Sequence, residues 1–229
     1  MKKAAYYLSM SPTSYQKYIE LLSPAEQKAA PKEVFYEGNF DLLMKSPKVS
    51  VVGSRNISKD GEKRTEIITT ELVKRGITVV SGLAQGVDTI AHTVALTGKT
   101  IAVLGTSIDI ATPTSNKNLL EEIKKNHLAI SQFPIGSKVY PSNFPARNKT
   151  MALISDATII IEASEKSGTQ HQAWEAIRLG RQVFILENII NSNVSWAVKA
   201  LEYGAIVLNN DNFSDILDSI SDWFLEPVL

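Results

Sequence analysis

Short apolar runs rich in β-branched residues recur along most of this chain, each separated from the next by a stretch with helical spacing. No other feature restricts its folding more. Val49 to Val52, Thr78 to Val80, Thr100 to Leu104, Leu128 to Ile130, Thr158 to Ile161, Gln182 to Leu186 and Ala205 to Leu208 are too short for helices, and few alternate with polar residues. They suit strands covered on both faces. Between most of them lie helical stretches at Lys63 to Arg75, Val87 to Leu96, Asn116 to Lys125, Lys149 to Ile154, Gln170 to Leu179 and Val194 to Tyr203. The alternation predicts an α/β fold with a doubly wound, mostly parallel sheet and helices on both faces. Gly76, Gly98, Gly180 and Gly204 each follow such a helix, where a left-handed C-terminal cap is wanted. Upstream, Ser14 to Ala29 reads as one amphipathic helix stopped by Pro31, and Ser214 to Trp223 reads as the final helix, whose apolar stretch Ile216, Leu217, Ile220, Trp223, Phe224 and Leu225 is expected to cover either the chain's own sheet or a second copy. A length of 229 residues needs no second core. The expected division is a short helical segment and lead-in over 1–45, then the α/β core over 46–229.

Composition narrows the chemistry. Lys plus Arg and Asp plus Glu both number 24, so a polyanion would have to be held by a local site and not by overall charge. The absence of cysteine excludes disulfides, cysteine nucleophiles and thiolate metal sites, and fits a reducing compartment. Met1 to Met10 lack a secretory apolar run, and no stretch approaches the roughly 20 apolar residues of a membrane span, which makes the cytoplasm the expected location and a membrane role unexpected.

In a doubly wound sheet the ligand sits beyond the carboxyl ends of the strands. Residues suited to anions follow several runs there: Gly53-Ser54-Arg55, Ser81-Gly82 with Gly86, Gly105-Thr106-Ser107 and Ser167-Gly168-Thr169. Glycine lets a phosphate approach the backbone, while hydroxyls and guanidinium add donors. Any one such glycine is more often simple turn geometry; their coincidence on one edge reverses that preference and favours an anion pocket. None matches G-x-G-x-x-G or G-x-x-x-x-G-K-[ST], so no dinucleotide or triphosphate cofactor is expected. Pro141 to Lys149 adds Phe144, able either to stack on a base or to anchor the loop. Arg147 there is either a phosphate contact or a surface charge at a helix start.

Together, Val52-Gly53-Ser54-Arg55, Ser81 to Asp88 with Ala91-His92, Ala102 to Gly105, Asn143 to Asn148, and Glu162-Ala163 with Ser167-Gly168-Thr169 resemble the DNA-processing protein A (DprA/Smf) family in order and spacing. Phe35 to Asn39 is similar to that family's approach to its first strand, and the resemblance spans roughly Val34 to Ile216. It implies an extended Rossmann-like fold and a recombination mediator that binds single-stranded DNA, dimerises, helps load a RecA-type recombinase, and is not an enzyme. The DNA contacts it implies are Ser54, Arg55, Gly82, Phe144, Arg147, Asn148, Ser167, Gly168 and Thr169. Lys138 and Lys166 are added on electrostatic grounds. The chain departs from the family at Gln170-His171-Gln172, where apolar and threonine side chains are usual, and leaves no room for the winged-helix domain that many members carry.

Other residues have competing readings. Asp88 and His92, four apart on a helix, suggest a base or metal site, but lack a third ligand, so bracing the loop after Gly82 is the expected role. His171 is either a ligand contact or a surface residue. Glu162 either accepts from a base or ribose or pairs with Arg147 or Arg55. Trp174, Trp196 and Trp223 are expected in the core or a dimer contact, and Lys124-Lys125 against a helix dipole. The alternatives to a DNA-binding module are a nucleotide sensor and a phosphoribohydrolase-like enzyme. The latter would need a carboxylate where Gln172 stands, because an amide cannot act as a general base.

Overall fold

A computed structural model describes residues 12–45 and 47–222. In chain order the elements are α1 (Pro12–Glu20), α2 (Pro24–Ala29), β1 (Phe35–Gly38), α3 (Asp41–Met44), β2 (Lys48–Val52), α4 (Lys59–Lys74), β3 (Thr78–Ser81), α5 (Val87–Ala95), β4 (Thr100–Leu104), α6 (Lys117–Asn126) and β5 (Leu128–Ser131). There follow α7 (Asn143–Ile154), β6 (Ala157–Ile160), α8 (Thr169–Arg178), β7 (Gln182–Leu186), α9 (Glu187–Asn191), α10 (Ser195–Glu202), β8 (Ile206–Leu208) and α11 (Phe213–Asp222).

All eight strands form one sheet in the order β1-β5-β4-β3-β2-β6-β7-β8. Every pairing is parallel except β1 with β5. The chain winds outward from β2 through β3, β4 and β5. It then returns to the other side of β2 and winds outward again through β6, β7 and β8. A crevice therefore opens where the winding reverses, between the carboxyl ends of β2 and β6. Side-chain alternation divides the core: Val49 and Val51 meet α4, α5 and α11 on one face. Val52 joins Met151, Ala173, Ala176 and Trp196 on the other.

Several boundaries differ from the sequence reading. The single helix expected over Ser14 to Ala29 is two, because Pro24 starts a new helix: the Ser23 hydroxyl accepts from the Glu26 N–H and the Glu26 carboxylate accepts from the Ser23 N–H. The lead-in is not set apart from the core. β1 pairs with β5, and Tyr18, Val34, Leu42 and Leu43 are core residues. The Lys124 ammonium, expected only to complement a helix dipole, is buried and also reaches Glu37 on β1 at 3.2 Å. Gly76, Gly180 and Gly204 adopt positive φ as expected, but Gly98 does not. Gly98 is small for a packing reason, since a Cβ there would lie 2.7 Å from Val73 Cγ1. In α11, Leu217 and Ile220 are fully buried against the chain's own sheet. Trp223, Phe224 and Leu225, expected to extend that apolar face, lie outside the described residues.

Candidate nucleic-acid interface

The crevice at the winding reversal holds a cavity of about 450 Å³. Its floor begins where β2 ends. Gly53 is pressed so closely against Val87 and the Glu162 carbonyl that a Cβ would come within 2.6 Å of the valine methyl. The Ser54 hydroxyl closes the next turn, donating to the Asn56 carbonyl at 2.8 Å and accepting from the Asn56 N–H at 3.1 Å. This turn presents Arg55 to solvent, with its guanidinium carbon 5.4 Å from the centre of the Phe144 ring, a cation–π distance.

Phe144 lies in the first turn of α7 and not in a loop. That helix starts at Asn143, six residues before the expected Lys149, because Pro145 falls in the first turn, where its missing N–H costs nothing. The ring rests on Gly105, where a Cβ would lie 2.7 Å from Phe144 Cδ1.

One turn further, Arg147 is buried. Its Nη1 donates to the Val103 carbonyl at 3.1 Å and lies 3.9 Å from Asp88 Oδ2. A Cβ on Gly82 would fall 1.3 Å from that nitrogen, so Gly82 is required by the arginine it accommodates. Asp88 Oδ2 also accepts from the N–H groups of Gly82 and Ala84 at 3.1 and 3.2 Å. These contacts change the reading of Gly82. Its amide is engaged by Asp88 and its Cα surface by Arg147, so it is not an open phosphate turn and does not line this cavity. Burial pushes the Asp88 carboxyl above its ordinary range, opposed by Arg147 and the donated N–H groups. Burial pushes Arg147 down; Asp88 opposes that, and neighbouring Arg55 adds to it.

The opposite wall is the start of α8. Asn148 ties α7 to it, donating to the Gly168 carbonyl at 3.3 Å. Ser167 and Thr169 share a hydroxyl hydrogen bond of 2.7 Å. Lys166 and His171 are exposed at the rim and line the cavity, whereas Lys138 is exposed on the loop between β5 and α7 and does not line it. Glu162 pairs with neither arginine: its carboxylate accepts from the Ser58 N–H at 3.1 Å and hydroxyl at 2.5 Å, fixing the start of α4. Asn56 and Ser164 also line the cavity. The sequence signal for Asn56 was its place directly after Ser54-Arg55 in the strand-to-helix turn; Ser164 carried none.

The family model of DNA recombination-mediator protein A matches residues 10–221. The chain belongs to the DNA recombination-mediator protein A family. The DNA processing protein DprA of Streptococcus pneumoniae is 43% identical over 168 residues, covering 72% of this chain and 59% of that protein. Protein Smf of Synechocystis is 41% identical over 168 residues, covering 71% and 42%. The chain thus spans about half the length of the curated relatives it matches. A structure of DNA processing protein A from Helicobacter pylori, described for its single-stranded DNA binding mode, aligns with a TM-score of 0.80 at 29% identity, covering 96% of this chain and 97% of that one.

Within this recombination-mediator protein A member, the unusual Gln170-His171-Gln172 segment has a structural account. Gln172 is buried in the cavity wall, where assigning its amide nitrogen to the Asn148 carbonyl (2.6 Å) and its amide oxygen to the Ala152 N–H (3.2 Å) satisfies both groups and joins α8 to α7. His92 is buried against Thr100 Oγ1 at 2.8 Å, and burial drives its pKa down to about 3, so it braces β4. The loop after Gly82 is held by Asp88 together with Asn116, which donates to the Leu83 carbonyl at 3.0 Å, and Thr89, which donates to the Ala84 carbonyl at 2.7 Å. Among the described residues no three His, Asp or Glu side chains are grouped to hold a metal. Trp196 packs in the core and donates to the Ser164 carbonyl at 3.1 Å, and Trp174 meets Tyr203 edge-on.

Proposed function

We propose that this protein binds single-stranded DNA in the crevice between β2 and β6. It would act as a binding module and not an enzyme, protecting the strand and passing it to a RecA-type recombinase during recombination or natural transformation in the cytoplasm. One observation carries the reading. In a chain of zero net charge, the charged side chains exposed at this cavity are Arg55 and Lys166, and its acid among the lining residues, Asp88, is buried and turned onto Gly82, Ala84 and Arg147. Arg55 has no acid partner among the described residues and sits beside a second guanidinium, so its charge is available to a phosphate. The Phe144 ring beneath it offers a face for an unstacked base, which a duplex keeps inside its stack. The start of α8 adds the positive end of a helix dipole. Catalysis finds no support at Gln172, a buried amide where a general base would be needed.

The test is fluorescence anisotropy with labelled oligothymidine and a matched blunt duplex over a range of salt. The single strand is expected to bind more tightly, with a log-log salt slope of about −0.7 per phosphate neutralised. Equal affinity for the two substrates would remove the proposal, and release of free base from nucleoside monophosphates would replace it with a phosphoribohydrolase.

A further inference from the structure

A second cavity, of about 360 Å³, opens on the same edge of the sheet at the carboxyl ends of β7 and β8. Its size falls in the range of small-ligand sites. One wall is α4, where Arg64, Ile67 and Ile68 share a face by their three- and four-residue spacing. Ile67 is 58% exposed, so an apolar surface is left open beside Phe213. The polar side is amide-rich, with Asn188 and Asn191 facing Asn209 and Asn210. Asn188 donates weakly to the Ile161 carbonyl at 3.5 Å, and its side-chain oxygen is left over. Arg64 is half-buried and has no acid partner among the described residues; Glu187 is the acid at the mouth.

An apolar slot, a set of amides and an unpaired guanidinium together fit a nucleotide: flat base, hydrogen-bonding edge and phosphate. We propose that this cavity is a second subsite for the same single strand, taking one nucleotide with its base against Ile67 and Phe213, its edge on Asn188 and Asn191, and its phosphate on Arg64. The inference rests on the proposed function. The crevice is walled by α7 and α8 and the second cavity by α4 and Phe213 of α11, on opposite faces of the sheet, so a strand joining them passes over the carboxyl ends of β6 and β7 and must be longer than either cavity alone requires.

The experiment compares oligothymidines of about four and about twelve nucleotides, and thymidine monophosphate, on wild type and the Arg64→Ala/Asn191→Ala double variant. Wild type should bind the longer strand more tightly. The variant should lose roughly ten-fold on the longer strand, with the shorter strand, melting temperature and molecular mass unchanged. An unchanged affinity for the longer strand, an equal loss at both lengths, or a change in mass would overturn the second subsite. Loss confined to the monophosphate would also overturn it, and would mark a free-nucleotide site. If wild type bound neither strand, the proposed function would fall and the second subsite with it. By contrast, Arg55→Ala should weaken both lengths, which separates failure at the crevice from failure here.

Discussion

Arg55 and Arg147 stand near each other at one site and are predicted to do opposite things. Arg55 is exposed on a turn locked by Ser54, with only an aromatic ring beneath it. Arg55→Ala should weaken single-strand binding about ten-fold at moderate salt and lower the salt slope, because a charge-assisted bond to phosphate contributes roughly 1.5 to 3 kcal/mol. Its melting temperature should stay near wild type, and a fall in stability without a change in affinity would refute the contact. Arg147 is interior: it fills the space left by Gly82 and faces Asp88. Arg147→Ala leaves a buried carboxylate without its cation and should cost about 3 kcal/mol of stability, measured by urea unfolding. Gly82→Ala should fail similarly, since its Cβ has no room unless the guanidinium moves. Both arginines were legible as site residues in the sequence. Their difference was not, because it depends on Asp88 and Val103, which lie far from Arg147 in the chain and meet it only after the sheet forms.

At the scale of elements, β2 to β7 were readable because they are buried on both faces but for Gln182 at the start of β7, which leaves continuous apolar runs, and β8 kept such a run although only Leu208 on it is buried. β1 escaped for the converse reason. Phe35 to Gly38 is an antiparallel edge strand, partly exposed, with Glu37 held by a lysine from α6. The beginning of α7 was obscured by Pro145, which reads as a helix break until its place in the first turn is known. The contact between α5 and β4 gives a pH prediction. His92 is buried neutral and titrates near 3 in the fold, against about 6.5 when unfolded. Between these values the unfolded chain binds a proton that the folded one refuses. His92 therefore contributes stability that is present above about pH 6.5 and is lost as pH falls towards 3, by up to about 1.4 kcal/mol per pH unit. A His92→Gln variant should lose less stability than wild type between pH 7 and pH 4 in urea titrations. Parallel curves for the two proteins would show that His92 does not titrate in this way.

For the whole molecule, the winding reversal placed the crevice where the sequence expected an anion to sit, because strand order and ligand position are linked in doubly wound sheets. Assembly was less legible. The apolar positions of α11 suggested either a cover for its own sheet or a partner contact, and Leu217 and Ile220 are used for the sheet. A better surface for a second copy is the outer edge of β8. That strand ends the sheet, and Ile206 on it is 41% exposed, with Val198 and Tyr203 of the neighbouring α10 segment also open at 40% and 57%. A terminal strand presents unpaired N–H and C=O groups, and apolar side chains around it give a partner something to bury. We therefore expect a homodimer related by a two-fold axis along this edge, with the crevices of both copies left open at the carboxyl ends of their strands. Light scattering at micromolar concentration should report twice the chain mass. Ile206→Lys should return the monomer mass, since a lysine on an edge strand opposes pairing, while leaving the binding of a short oligothymidine within about two-fold of wild type. A wild-type monomer, or an Ile206→Lys variant that keeps the doubled mass, would remove this edge as the contact.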